Sequence, residues 1–241
     1  MRLVTGLQPV REAIRVHGAD LERVLVEKDG GPQIDAVARF AEGRGSKVER
    51  VSRAELDRAA KGARHQGAIA YAPELALVSI DELAKELDDK ATVIALDEIE
   101  DPQNFGAVIR SAVALGATAI VWPEHHAAPL TPATFRASAG AVEHARLCRV
   151  RSLAAALDAL RDAGAAVVGL DANADSELAD VELKGAVVLV VGAEGKGLRK
   201  PVKRACTTLA RLPMSGAIDS LNASVAAGIA LYDIALRRKR S

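Results

Sequence analysis

Four apolar runs constrain this chain more than any other feature. Thr92–Asp97, Ala119–Trp122, Ala166–Asp171 and Ala186–Val191 are almost wholly apolar and rich in valine and isoleucine. Runs of this kind read as strands buried on both faces, because a strand with one wet face alternates. Between them lie stretches with helical spacing, from about Phe105 to Leu115, Ala133 to Ala141 and Leu153 to Asp162. A short strand is expected at Leu209–Leu212 and a long helix from Ser220 to Arg237. Strands alternating with helices predict a mostly parallel sheet covered on both faces, in which ligands bind outside the carboxyl ends of the strands.

The chain before these runs reads as a smaller module. Pro9–Val16, Gln33–Glu42 and Arg53–Ala60 have helical spacing, the last with Ser52 as its cap. Leu21–Val26, Val48–Val51 and Ala68–Tyr71 read as strands. The result is an α/β module of about 75 residues, within the size range of a domain. Pro73–Lys90, with Asp81, Glu82, Glu86, Asp88 and Asp89, reads as a polar helical connection. The expected division is therefore residues 1–75, a linker at 76–90, and a larger domain at 91–241.

Composition narrows the class. Of 241 residues 49% are hydrophobic, enough for a sizeable core, so wholesale disorder is excluded. No apolar run approaches the roughly 20 residues that span a bilayer, and Met1–Gly6 has no signal-like apolar region, which predicts a cytoplasmic protein without a membrane partner. Cys148 and Cys206 are isolated, so neither a disulfide frame nor a metal site is expected. The 32 basic and 32 acidic residues cancel overall but are unevenly placed. Residues 37–66 hold eight Lys/Arg against four acids, a local +4, whereas residues 79–120 hold three against nine, a local −6; the chain closes on Arg237-Arg238-Lys239-Arg240. Solvated helix faces explain such clusters as readily as an anionic partner does.

Three constellations could carry chemistry. Gly192-Ala193-Glu194-Gly195-Lys196-Gly197-Leu198 follows a strand, yet it has the order G-x-x-G-x-G, not the dinucleotide fingerprint, and no Lys-Ser/Thr pair of a phosphate loop. A tight turn and a ligand-facing loop both remain open here. In Asp101-Pro102-Gln103-Asn104-Phe105-Gly106-Ala107-Val108-Ile109-Arg110, Asn104 sits where a helix cap belongs, and Arg110 lies about two turns into an apolar helix. Arginine among such neighbours is expected to need an anionic partner, from the protein or from a ligand. In Pro213-Met214 through Ser220-Leu221-Asn222-Ala223-Ser224, three polar residues crowd the first turns of the final helix, more than one cap requires. There is no G-x-S-x-G elbow, and the adjacent His125 and His126 lack the spacing to face one ligand.

In this order, the three stretches resemble the SpoU (TrmH-like) family of RNA ribose 2′-O-methyltransferases, of the SPOUT superfamily, and cover residues 91 to the end. The amino-terminal Gly6-Leu7-Gln8-Pro9-Val10 and Arg64-His65-Gln66-Gly67 resemble the L30e-like substrate domain of the RlmB-like branch. The resemblance implies a trefoil-knotted α/β domain, S-adenosylmethionine as cofactor, an RNA partner, and a homodimer with its sites near the subunit interface. It places the cofactor against Leu170, Gly192, Glu194, Gly197, Leu212, Met214, Leu221 and Asn222. It assigns catalysis to Arg110, with Asn104, Glu194, Ser220 and Asn222 arranging it. Since arginine stays protonated, Arg110 is expected to stabilise the forming alkoxide rather than act as a base.

The branch points to a guanosine of large-subunit rRNA; a tRNA substrate and a non-catalytic RNA-binding protein are the alternatives. A nucleotide-dependent oxidoreductase is disfavoured by the missing fingerprint. Low aromatic content, 2%, favours shape and phosphate contacts over base stacking. Asp219 places an acid beside a site for an anionic polymer, where it would pair with a basic residue or modulate substrate choice.

Overall fold

The structure, a computed structural model, describes residues 1–216 and 220–239. It divides into two units, Met1–Leu75 with Leu130–His144, and Ala76–Pro129 with Ala145–Ser241.

The first unit is built from β1 (Arg2–Thr5), α1 (Leu7–His17), β2 (Arg23–Glu27), α2 (Pro32–Gly43), β3 (Val48–Val51), α3 (Arg53–Ala60) and β4 (Ala68–Ala72). The sheet order is β1-β4-β2-β3, with β2 and β3 parallel and the other pairs antiparallel. α1 and α2 bury Val10, Ile14, Ile34 and Val37 against Val4, Val24 and Ala70 on one face of the sheet, and α3 packs Leu56 against Leu25 and Ile69 on the other. Ser52 caps α3 in a reciprocal box with Glu55, as its sequence predicts. β1, too short and polar to show a pattern, was not legible.

The second unit begins with α4 (Ile80–Lys85), β5 (Thr92–Asp97), α5 (Pro102–Ala114) and β6 (Ala119–Pro123). The chain then contributes α6 (Pro132–Ala137) and a 3-10 turn (Ala141–His144) to the first unit. It resumes with β7 (Leu147–Val150), α7 (Leu153–Asp162), β8 (Ala166–Leu170), β9 (Ser176–Glu177), β10 (Val187–Gly192), α8 (Lys200–Ala205), β11 (Thr208–Arg211) and α9 (Ala223–Arg238). The seven strands run in the order β7-β6-β5-β10-β8-β11-β9, every pairing parallel. The four apolar runs are the adjacent central strands β6, β5, β10 and β8, where both sheet faces are covered. β10 lies between β5 and β8, so Gly192 stands beside Asp97 at the carboxyl ends.

The expected division differs from these units in two segments. Residues 76–90 are not a polar connection. Leu83 is fully buried in the core of the second unit, with Val78, Ile80 and Leu87 packed beside it, and Leu77 bridges to Leu147. Of the acidic residues that make the stretch look polar, only Asp81 and Glu82 fall within the short helix, and Glu86, Asp88 and Asp89 follow it. Residues 130–144 belong with the first unit, where Glu143 makes a buried ion pair with Arg2, its Oε1 accepting from Arg2 Nη1 at 2.8 Å and its Oε2 lying 2.9 Å from His17 Nε2. No sequence pattern announces a pair 141 residues apart.

No helix among the described residues is long and apolar enough to cross a membrane. Burial pushes the Cys148 thiol up to about 11, and burial with the nearby Asp97 pushes Cys206 up to about 12, so neither supplies a nucleophilic thiolate near neutrality. Removing one partner of a buried pair strands the other's charge. Glu143→Ala should therefore cost about 3–5 kcal/mol of unfolding free energy in urea titrations, whereas a loss under 1 kcal/mol would show that Arg2 finds water instead.

Candidate active site

Asp97 ends β5 with its carboxylate wholly buried. It accepts the backbone N–H of Arg199 at Oδ2 (2.8 Å) and Arg199 Nε at Oδ1 (2.7 Å). The same guanidinium lies 3.4 Å from Glu98, which has a positive φ of 57°. The loop after β10 is thereby clamped to the loop after β5. Within that loop the chain folds back on itself, Gly197 N–H donating to Ala193 O at 2.8 Å. A Cβ on Gly192 would lie 2.3 Å from the Gly197 carbonyl carbon, so only glycine allows this closure.

Asp101, not Asn104, caps α5; its carboxylate accepts from Gln103 N and Asn104 N. The expected cap is off by three residues because Pro102 occupies the first helical turn, which prefers proline. Asn104 is thereby released for another role. Its Oδ1 accepts from Asn222 Nδ2 at 3.0 Å, and the same Nδ2 donates to Glu194 Oε2 at 3.0 Å. Asn222 Oδ1 caps α9, accepting from Ser224 N (3.0 Å), Val225 N (3.4 Å) and Ser224 Oγ (2.6 Å). One amide therefore satisfies two acceptors and three donors, joining one residue from each constellation. The long helix starts at Ala223, so Ser220 and Leu221 precede it as an approach segment.

Beside this cluster is a cavity of about 380 Å³, at the low end of the range for ligand sites. The 192–197 loop forms one wall; Leu170, Leu212, Met214 and Leu221 supply apolar surface, and Ser220 a hydroxyl. Of the expected residues, Leu170, Gly192, Glu194, Gly197, Leu212, Met214, Ser220 and Leu221 line the cavity, while Asn222 and Asn104 meet behind Glu194. Asp171, Asn173 and Lys203 also line it, and sequence reasoning missed them. Asp171 is ion-paired with Lys203; although burial opposes it, the hydrogen bonds from Lys203 and Asn173 N–H hold this carboxyl below its usual range. No pattern marked Lys203, because α8 is short and was not expected. Asp219 lies outside the described residues, as does Arg240 of the basic tail.

Arg110 departs from expectation. It is exposed on α5, whose buried side is Phe105, Val108, Ile109 and Ala112, and it forms no ion pair among the described residues. The run Ala107-Val108-Ile109 is apolar in sequence, but residue 110 points away from the core at helical spacing. It does not line the cavity of its own chain.

The comparisons decide the family. The model of the SpoU rRNA Methylase family matches residues 91–232, and that for RNA 2′-O ribose methyltransferase substrate binding matches residues 3–77. The chain belongs to the SpoU family. It is 38% identical to YacO of Bacillus subtilis, named for the TrmH family of tRNA/rRNA methyltransferases, over 98% of this chain and 95% of that one. An uncharacterized tRNA/rRNA methyltransferase of Mycolicibacterium smegmatis is 37% identical over 98% of this chain and 77% of its own length. Among solved structures, the SpoU methyltransferase AviRb from Streptomyces viridochromogenes superposes with a TM-score of 0.81 at 26% identity, covering 99% of this chain and 90% of that one. An AdoMet-bound rRNA methyltransferase from Sinorhizobium meliloti gives 0.79 at 27% identity, covering 99% and 87%. These neighbours bear out the expected fold class, a parallel-sheet SPOUT domain with a smaller amino-terminal α/β domain.

The SpoU assignment fits the donor set. The cavity has glycine-loop backbone and apolar side chains beside Glu194 and Asp171, and no phosphate loop, as suits S-adenosylmethionine, a cation without phosphates. Asn222→Asp separates architecture from site. Its carboxylate still caps α9, but an acceptor replaces the donor that faced Asn104 and Glu194. The melting temperature should stay within about 4 °C of wild type while affinity for S-adenosylmethionine falls about tenfold by calorimetry; unchanged affinity would remove the amide from the site.

Proposed function

We propose that this SpoU-family, S-adenosylmethionine-dependent RNA methyltransferase methylates the ribose 2′-oxygen of a guanosine in large-subunit (23S) rRNA, acting in the cytoplasm as a homodimer. The observation that carries the reading is the Asn222 amide. It gathers residues from the loops after β5 and β10 and the start of α9 at the edge of the cavity. The 2′-oxygen is favoured by the substrate-binding match over residues 3–77, whose description names 2′-O ribose methylation. An rRNA substrate is favoured by the Sinorhizobium meliloti rRNA methyltransferase, which covers both units.

When bound, the cofactor supplies an electrophilic methyl group on a sulfonium. The chain's own task is to hold a poorly ionised ribose hydroxyl in line and stabilise the charge that develops on it. Leu170, Leu212, Met214 and Leu221 would hold the adenosine, and the 192–197 loop the amino-acid end. Asn104, Glu194, Ser220 and Asn222 would order the approach of the ribose. Arg110, exposed and without an ion pair among the described residues, would place a permanent positive charge near the alkoxide and adjacent phosphate.

α9 packs on α5 and leaves Val225, Ile229 and Tyr232 exposed at 48%, 46% and 59%. Spaced i, i+4, i+7, they form one apolar stripe. Covering it with a second copy of the chain would bring α5 and Arg110 to the interface, completing each site from both subunits.

Tritiated methyl from S-adenosylmethionine, offered to total RNA from a strain lacking this protein, should label large-subunit rRNA as 2′-O-methylguanosine. Label in tRNA would overturn the substrate, and label on a base would overturn the 2′-oxygen. In the same assay Arg110→Ala should lose about 10²–10³-fold in kcat, whereas near-normal turnover would remove its role. Equilibrium sedimentation should give twice the chain mass; a monomer at micromolar concentration would contradict the dimer.

A further inference from the structure

A second cavity, of about 430 Å³, lies wholly within the first unit and takes no part in the site above. α3 walls it through Arg53 and Asp57, and the turn from Gly62 to Gln66, leading into β4, forms its floor. That turn is tightly determined. Lys61 and Gln66 hold positive φ values of 50° and 53°, a conformation that costs a non-glycine residue about 1–2 kcal/mol. Such backbone persists only where its surroundings enforce it, and it concentrates at functional sites.

Here the enforcement is visible. His65 is buried beneath the turn. Its Nδ1 accepts the Gly67 N–H at 3.0 Å, so the ring hydrogen is on Nε2, which donates to Asp57 Oδ1 at 2.9 Å. Gln66 Oε1 accepts the Leu7 N–H at 3.2 Å, tying the turn to the start of α1. The His65–Gly67 bond is buried, the His65–Asp57 bond half-buried and the Gln66–Leu7 bond exposed. Outward, Lys61 and Arg64 are exposed and form no ion pair among the described residues. Arg53 is exposed too and has only a 3.6 Å contact with Glu27.

The local +4 of the sequence thus divides. Arg50 pairs with Asp35, and Lys47 with Glu49, as ordinary surface charges. Arg53 and Arg64 line a cavity of nucleotide-accommodating size with a rigid floor, and Lys61 directly precedes the turn that forms that floor. The cavity has no Phe, Tyr or Trp in its lining on which a base could stack, and it sets two guanidinium groups, Arg53 and Arg64, against one carboxylate, Asp57, whose Oδ1 is engaged by His65. Arginine forks suit phosphodiester oxygens, and the free amide hydrogens of Gln66 suit a ribose hydroxyl.

We propose that this cavity is the anchor for substrate RNA on the first unit, with Arg53 and Arg64 on phosphodiester oxygens and Lys61 at its rim. The inference rests on the RNA methyltransferase reading and deepens it by naming where, and by which chemistry, the RNA is gripped. The test is fluorescence anisotropy of the full chain with a fluorescein-labelled RNA stem-loop, titrated with salt. Arg53→Ala and Arg64→Ala should each weaken binding by about 3–10-fold and lower the salt slope by about one. Arg11→Ala, which removes an exposed charge on α1 away from the cavity, should stay within about twofold of wild type. Affinity for S-adenosylmethionine should be unchanged in all three.

Equal losses for Arg11→Ala and Arg64→Ala would mean diffuse attraction and overturn the anchor. So would unchanged binding in the two cavity variants while wild type binds and methylates, and in that case the methyltransferase reading would survive. Failure of wild type to bind or methylate any RNA would overturn both.

Discussion

A buried carboxylate cannot stand alone, and Asp97 has one partner that answers both its charge and its lone pairs. Arg199 supplies a backbone N–H to one oxygen and its guanidinium to the other. Because Asp97 ends β5 and Arg199 follows the β10 loop, that pair fixes the distance between two loops that are 102 residues apart in sequence. The parallel register beneath it, Gly192 beside Asp97, sets the strands level so that the clamp can form. Without it, the Glu194 carboxylate would have no fixed place relative to Asn104.

On that frame the Asn222 amide acts as a connector. A residue with both donor and acceptor in one rigid plane caps a long helix while holding two side chains of other loops. The cap and the site therefore share one group, and α9 carries both the start of the site and the apolar stripe. The arrangement is balanced in charge. Two carboxylates, Glu194 and Asp171, and two ammonium groups, Lys196 and Lys203, line the cavity, with Asp171 paired to Lys203.

The central sheet was legible because its four apolar runs had to be buried on both faces, and they are the four adjacent middle strands. Strands at the sheet edges were not. β7 and β9 are short, four and two residues, and each pairs with only one strand of the sheet, so neither carries a long apolar run. The three constellations were visible as departures from pattern, but their partners were not. Asn104 has the residue type of a cap although Asp101-Pro102 starts the helix, and Arg110 has apolar neighbours in sequence although it points away from the core. In both places helix geometry, and not adjacency in sequence, decides what the side chain meets. Arg199 and Lys203 were invisible for another reason: each acts through a carboxylate at or just past the end of a strand distant in sequence, Asp97 of β5 and Asp171 after β8, and one sequence carries no record of such pairings. The exchange of residues 130–144 into the first unit, through Arg2 and Glu143, is long-range in the same way.

The central claim is that the cavity beside the Asn222 cluster holds the methyl donor. A crystal structure with S-adenosylhomocysteine tests it most directly. The account predicts the product between the 192–197 loop and the Leu212–Met214 and Leu221 side chains, with Glu194 still on Asn222. Product bound elsewhere on the chain, or a loop that closes the cavity on soaking, would contradict it.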